Sequence, residues 1–98
     1  MATFSEIIAD NDLLLVDFSA DWCGPCRMMP PILKEVKRSI GDSLVIITMD
    51  IDKNPKAANQ YGIQSVPTLM LFKQGRMVWR QSGVQQAHQL ELIIHRFL

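Results

Sequence analysis

The residues whose type and spacing could do chemistry are Cys23 and Cys26, the only cysteines in 98 residues. Gly24 and Pro25 separate them. Side chains three residues apart on a helix lie roughly 5–6 Å apart, within the Cα separation that a disulfide requires. The spacing predicts a reversible dithiol/disulfide pair, with Cys23 as an exposed attacking sulfur and Cys26 as a covered resolving sulfur.

The cysteine pair falls where a predicted strand meets a predicted helix. Residues 13–18 form an apolar segment of strand length, and a helical pattern follows from about residue 23 to residue 40. The first turn of a helix has N–H groups without partners and a partial positive charge, which favour a thiolate at Cys23. A hydrogen bond from the Cys26 N–H to that sulfur is expected to add to the effect. Pro31 lies inside the pattern and is expected to kink the helix.

The elements that must position this junction alternate along the chain. A short helix capped by Thr3 comes first, and the later helices are predicted at about residues 23–40, 54–60 and 85–97. Strands are predicted at residues 13–18, 44–49, 68–72 and 77–81, the last two joined by a hairpin turn. Right-handed crossovers then place helices on both faces of one sheet. The predicted fold class is α/β with a central mixed sheet.

The sequence around the cysteines, Trp22-Cys23-Gly24-Pro25-Cys26, resembles the active-site signature of the thioredoxin family. The resemblance runs from about Leu13 to the C-terminus. Its other matching residues are Val16-Asp17-Phe18, Pro31, Asp50-Ile51-Asp52, Tyr61-Gly62-Ile63, Val66-Pro67-Thr68, Lys73-Gln74-Gly75 and Ser82-Gly83-Val84. The resemblance implies the thioredoxin fold and a thiol–disulfide oxidoreductase that reduces protein disulfides through a mixed-disulfide intermediate.

The same resemblance implies roles for individual residues. Cys23 would be the nucleophile, Cys26 the resolving cysteine, and Asp17 a buried general base that deprotonates Cys26 through a water. The Val66–Pro67 bond would be cis and would leave the Val66 backbone free to pair with an extended substrate. The substrate-binding residues would be Trp22, Gly24, Pro25, Val66, Pro67 and Gly83. No bound cofactor is implied, and a partner thioredoxin reductase, either a flavoprotein using NADPH or a ferredoxin-linked enzyme, would regenerate the dithiol.

Three departures from the family pattern carry expectations. The N-terminal edge strand is missing, unless residues around Met1 form it, so we expect about four strands and an exposed edge at residues 44–49. We therefore expect a monomer, with a dimer through this exposed edge strand as a possible alternative. Ser19 stands where many thioredoxins have Trp, so the flank of the site is less filled. Thr48 aligns with a Lys that neighbours the buried Asp in bacterial relatives, so we expect a raised pKa for Asp17.

Composition limits the setting in which these residues act. Ten basic and ten acidic residues give a formal charge of zero, which does not favour nucleic acid or an anionic membrane as a partner. Apolar runs are too short for a membrane span, and no export signal is evident. The absence of an evident export signal, together with the presence of only two cysteines, predicts a cytoplasmic protein in which the cysteines form a catalytic pair. The length of the chain predicts one domain over residues 1–98.

Other interpretations of the same residues stay open from the sequence. The domain could be a binding module whose redox chemistry is incidental, or the cysteines could bridge a metal or iron–sulfur site between two chains. An oxidant or isomerase of the same family is a further alternative. Asp50 and Asp52 could be paired carboxylates, although residues of a loop at a strand end are the simpler interpretation. His88 and His95 have no third ligand nearby and are expected on the surface.

Overall fold

Helices and strands alternate in the order predicted from the sequence. A computed structural model describes residues 2–98, so Met1 and any pairing around it lie outside the described residues. The α-helices are α1 (Phe4–Asp10), α2 (Met29–Ile40), α3 (Pro55–Gln60) and α4 (Ala87–His95). The strands are β1 (Leu13–Ser19), β2 (Val45–Asp50), β3 (Thr68–Lys73) and β4 (Arg76–Ser82). Two 3₁₀ turns, Pro25–Met28 and Gly41–Ser43, flank α2.

The four strands form one mixed sheet in the order β2-β1-β3-β4, which confirms the predicted fold class. β1 pairs parallel with β2 and antiparallel with β3, and β4 pairs antiparallel with β3. Six consecutive residues of β1 are buried because the strand is central and covered on both faces. The carboxyl end of this rigid strand leads directly into the cysteine pair.

Each face of the sheet has its own apolar core, as the alternation of side chains along a strand requires. Leu13 and Leu15 of β1 face α2 and α4, where they pack against Leu33, Val36, Leu90 and Ile94. Leu14, Val16 and Phe18 face the other way, towards α1 and α3. There the ring of Phe4 meets the rings of Phe18, Tyr61 and Phe72 edge-on. The two cores fix β1, and with it Asp17, between the helix layers.

The helix after the cysteines differs from the prediction. A single helix over residues 23–40 with a kink at Pro31 was expected, but a 3₁₀ turn over Pro25–Met28 comes first and α2 begins at Met29. Pro30 and Pro31 therefore lie in the first turn of α2, where an N–H has no intrahelical partner to lose. The physical reason is that the prolines start a new helix at no cost in hydrogen bonds instead of interrupting an old one.

Candidate active site

Cys23 and Cys26 form a disulfide at the junction between β1 and the 3₁₀ turn, with their Cα atoms 5.4 Å apart. The backbone N–H of Cys26 donates a hydrogen bond to Cys23 Sγ over 3.2 Å, as the sequence predicts. The same N–H can stabilise negative charge on that sulfur once the disulfide is reduced. The geometry therefore supports a thiol pair with one sulfur prepared to act as a thiolate.

The expected difference in exposure between the two cysteines is not present. Both residues are only 4% exposed in the disulfide form, so the prediction of an exposed Cys23 is wrong for this state. Cys23 is covered because it packs in a small cluster with Ala20, Cys26 and the neighbouring side chain of Val66. At Gly24 a Cβ would meet open space, so the approach to the sulfur pair stays unobstructed on that side.

The loop before β3 brings a second chain segment to the cysteines. The Val66–Pro67 bond is cis, as the family resemblance implies, and the carbonyl oxygen of Val66 lies 3.6 Å from Cys23 Sγ. The N–H of Gly83 donates to the carbonyl oxygen of Pro67 over 2.8 Å, with Gly83 at a φ of +89°. The Thr68 hydroxyl donates to the carbonyl of Ser65 over 2.7 Å. These bonds fix the conformation of the loop from which Val66 contacts the cysteines.

Arg80 of β4 fixes the start of the same loop, and sequence reasoning missed it. Its guanidinium donates to the carbonyl oxygens of Tyr61 and Gly62, the latter over 3.1 Å. Both carbonyls follow the C-terminal end of α3, where a cation is favoured. The sequence offers no local signal for this contact, since Arg80 is 18 residues from Gly62.

Trp22 stands beside the cysteines and is held by a carboxylate from the loop after β2. Its side chain is 68% exposed, and its Nε1–H donates to Asp52 Oδ2 over 2.9 Å. Asp50 Oδ1 accepts from the backbone N–H groups of Asp52 and Lys53. Asp50 therefore shapes a turn and Asp52 orients an indole, which is the loop role that the sequence favoured over a catalytic carboxylate pair.

Asp17 is a buried carboxyl group on the strand that leads to the cysteines. It is 1% exposed, and its Oδ1 has no hydrogen-bond partner among residues 2–98. Burial raises the pKa of Asp17 to about 6, which confirms the direction predicted from the sequence. A carboxyl group with that pKa can hold or accept a proton near neutral pH.

The structure brings the proposed substrate-binding residues to one region by two routes. Trp22, Gly24 and Pro25 flank the cysteines in sequence and are exposed. Val66 packs against the two cysteines from the loop before β3. Pro67 follows Val66 in the chain and is buried, and the exposed Gly83 donates its N–H to the carbonyl oxygen of Pro67.

Residues 2–98 contain neither a candidate metal site nor a candidate membrane-spanning helix. Within residues 2–98 no group of three or more His, Cys, Asp or Glu side chains could hold a metal ion. His88 and His95 are exposed on α4, as expected. No helix in the same range is long and apolar enough to cross a membrane.

Comparison with known proteins gives a consistent result. The family model described as Thioredoxin matches residues 1–96. A thioredoxin-like protein of Synechocystis sp. is 52% identical over 91% of this chain and 86% of its own length. The thioredoxin of Alicyclobacillus acidocaldarius is 46% identical, over 92% and 86% of the two chains. Mitochondrial thioredoxin 3 of Saccharomyces cerevisiae superposes with a TM-score of 0.86 at 32% identity, over 95% of this chain and 86% of that one.

Proposed function

Since this chain belongs to the thioredoxin family and is a thiol–disulfide oxidoreductase, we propose that it reduces disulfide bonds in other proteins. The observation that carries the proposal is the hydrogen bond from the Cys26 N–H to Cys23 Sγ, because it favours the thiolate needed for attack. We further propose that residues 1–98 act as one thioredoxin domain.

In the first step Cys23 is the nucleophile. Its thiolate attacks one sulfur of a substrate disulfide, a bond forms between Cys23 Sγ and that sulfur, and the substrate's other sulfur leaves as a thiolate. While Cys23 is still protonated, its thiol can donate a hydrogen bond to the Val66 carbonyl oxygen, which lies 3.6 Å from Cys23 Sγ. Gly24 leaves room for the incoming chain at the side of the sulfur.

In the second step Cys26 is the resolving cysteine and Asp17 is the general base. Asp17 takes the thiol proton of Cys26 through a water, and the Cys26 sulfur attacks Cys23 Sγ. The Cys23–Cys26 disulfide forms and the substrate leaves with its second thiolate, so two electrons pass from the cysteine pair to the substrate. The pKa of Asp17, raised by burial to about 6, supports this role because it lies near the working range of such a base.

Substrate proteins bind across the exposed surface around the disulfide. The binding residues are Trp22, Gly24, Pro25, Val66, Pro67 and Gly83. Val66 presents its backbone beside Cys23, where an extended substrate segment can pair with it. Trp22 offers a large apolar surface held in place by Asp52.

The dithiol is regenerated by a partner protein, and no cofactor is bound by this chain. The partner is a thioredoxin reductase, either a flavoprotein that draws on NADPH or a ferredoxin-linked enzyme. A reducing cytoplasm is the compartment that suits a cysteine pair whose working state is the dithiol.

The test is reduction of insulin disulfides with NADPH and a purified thioredoxin reductase. The wild type should turn over, and Cys23→Ser and Cys26→Ser should both be inactive. Only Cys26→Ser should accumulate a mixed disulfide with insulin, detectable as added mass, because it keeps the nucleophile and lacks the resolving sulfur. A mixed disulfide that forms with Cys23→Ser instead would reverse the two roles, and activity in both variants would refute the mechanism.

A further inference from the structure

The outer edge of β2 presents backbone groups that no strand in residues 2–98 satisfies. Among residues 2–98, β2 is the outermost strand on its side of the sheet and pairs only with β1. The N–H of Ile51 donates to Ser19 of β1, so alternate residues of the strand face inward. By the same alternation, Ile46 and Thr48 direct their N–H and C=O groups outward. The edge therefore offers a ladder for another strand.

The opposite edge of the sheet is protected, and β2 is not. β4 carries Arg76 and Arg80, and its ladder with β3 has an irregularity next to Leu71. Charged side chains and bulges are the devices by which edge strands avoid pairing. The one charged residue of β2 is Asp50 at its carboxyl end, whose carboxylate is bonded back to the N–H groups of the following turn. Ile46, Ile47 and Met49 are only half-buried. Because the β2 edge lacks these features over positions 45–49, it is the edge of the sheet that is suited to pairing with another strand.

We propose that the β2 edge is covered by the β2 edge of a second copy of this chain, in an antiparallel pair. With the two-fold axis at Ile47, Ile46 of each copy faces Thr48 of the other, and the outward groups form about four hydrogen bonds. The contact uses the same surface twice, so it closes as a dimer. Pairing of β2 with β4 would leave edges free at both ends and would not close.

Side-chain chemistry agrees with a second copy as the occupant. In this register Ile47 meets Ile47, and Val45 meets Met49, so every pair on the α1 and α3 face is apolar. Met49 also lines an apolar cleft of about 580 Å³ between the start of α1 and α3, next to which the Val45 of the other copy lies. The formal charge of zero adds no net repulsion between copies.

The proposed dimer leaves both active sites open. Each disulfide lies beyond the carboxyl end of β1, and β1 runs parallel to β2. Two antiparallel copies of β2 therefore place the two disulfides at opposite ends of an eight-stranded sheet. Activity per chain is expected to be the same in monomer and dimer, so association and catalysis can be measured separately.

Sedimentation equilibrium tests the dimer. The wild-type mass should rise from 11.1 kDa at micromolar concentration to twice that value towards millimolar concentration. Ile47→Lys and Ile47→Glu should each stay monomeric, because like charges then face each other at the axis. An equimolar mixture of the two variants should regain the dimer, since only a two-fold at residue 47 pairs Lys with Glu. Val78→Lys, on the β4 edge, should dimerise as the wild type does.

Two results would overturn the proposal. One is a wild type that stays at the monomer mass up to millimolar concentration. The other is a mixture of folded Ile47 variants, verified by insulin reduction, that stays monomeric. If the variants fail to fold, amide hydrogen exchange in the wild type decides: protection at Ile46 and Thr48 should rise with protein concentration while β4 is unchanged, and equal protection at all concentrations refutes the dimer.

Discussion

Asp17 lies directly opposite Thr48 in the parallel ladder of β1 and β2. Residues paired in this way share a face of the sheet, yet Asp17 is 1% exposed and Thr48 is exposed. No cation accompanies Asp17 from the partner strand, and burial therefore sets its pKa at about 6. A carboxyl group with this pKa can exchange a proton near neutral pH, on the strand that leads to the cysteines.

Replacing the buried carboxyl group of Asp17 should lower activity and raise the free energy of unfolding. In Asp17→Asn the cost of burying a charge disappears. If Asp17 is the general base, as proposed, resolution of the mixed disulfide should slow on the order of a hundredfold. A shift from 3.8 to about 6 corresponds to about 3 kcal/mol at pH 7.5. Urea unfolding should show that gain for the variant relative to the wild type.

The pH dependence of that gain has a definite sign. Between about pH 4 and pH 6 folded Asp17 keeps its proton while the unfolded chain loses it, so wild-type stability falls as the pH rises. The gain in Asp17→Asn should therefore be absent below pH 4, grow between pH 4 and 6, and level off above. Asp21→Asn, an exposed carboxylate change near the same site, should show neither effect. A gain independent of pH would contradict the assigned cause.

A cation placed opposite the carboxyl group should shift its titration. In Thr48→Lys an ammonium on the same face of the sheet favours the charged form of Asp17 and lowers its pKa below about 6. NMR titration of the Asp17 carboxyl carbon measures this directly. The lower limb of the pH–rate profile for disulfide reduction should move to lower pH with it. Thr48→Gln is the neutral control, and a wild-type value near that of free Asp would remove the basis of the prediction.

Much of the fold could be predicted because local signals and global packing agree. The apolar run of β1 reports burial on both faces, and the Cys-x-x-Cys spacing reports a disulfide, whose Cα atoms lie 5.4 Å apart. The turn at Gln74 and Gly75 has the positive φ values that such hairpins require. Each of these features depends on neighbours in sequence.

The features that could not be predicted depend on contacts between distant segments. Val66, which helps to cover Cys23, is 43 residues away from it in the sequence. The hydrogen bonds of Arg80 join β4 to the end of α3, and only the fold brings these two elements together. The change from 3₁₀ to α-helix at Met29 depends on two consecutive prolines whose effect differs between a first turn and a helix interior. Spacing in the sequence alone does not separate those two outcomes.

Gly83 and Gly24 form a matched pair that isolates backbone conformation. A Cβ at either position meets open space, but Gly83 has a φ of +89° and Gly24 a φ of −59°. Gly83→Ala should therefore cost about 1–2 kcal/mol in the free energy of unfolding, while Gly24→Ala should change it little. Gly83→Ala should also raise the KM for insulin, because the Gly83 N–H holds the Pro67 carbonyl. Equal stability of the two variants would show that this φ carries no strain.

The hydrogen bond from Trp22 to Asp52 should act on substrate binding and leave the sulfur chemistry unchanged. Trp22 is 68% exposed, so the bond mainly orients its indole, which we propose as a contact for protein substrates. Trp22→Phe and Asp52→Ala should each raise the KM for insulin severalfold. The rate at which dithiothreitol reduces the Cys23–Cys26 disulfide should be unchanged in both variants. Asp21→Ala is the control for loss of a nearby negative charge.

A double-mutant cycle separates this bond from the other effects of each change. Together, Trp22→Phe and Asp52→Ala should raise the KM by less than the product of the single effects, with a coupling of about 1 kcal/mol in kcat/KM. The sign follows because the first change already removes the bond that the second would remove. Effects that simply multiply would mean that Asp52 acts on substrates through its charge and that the orientation of Trp22 does not limit binding.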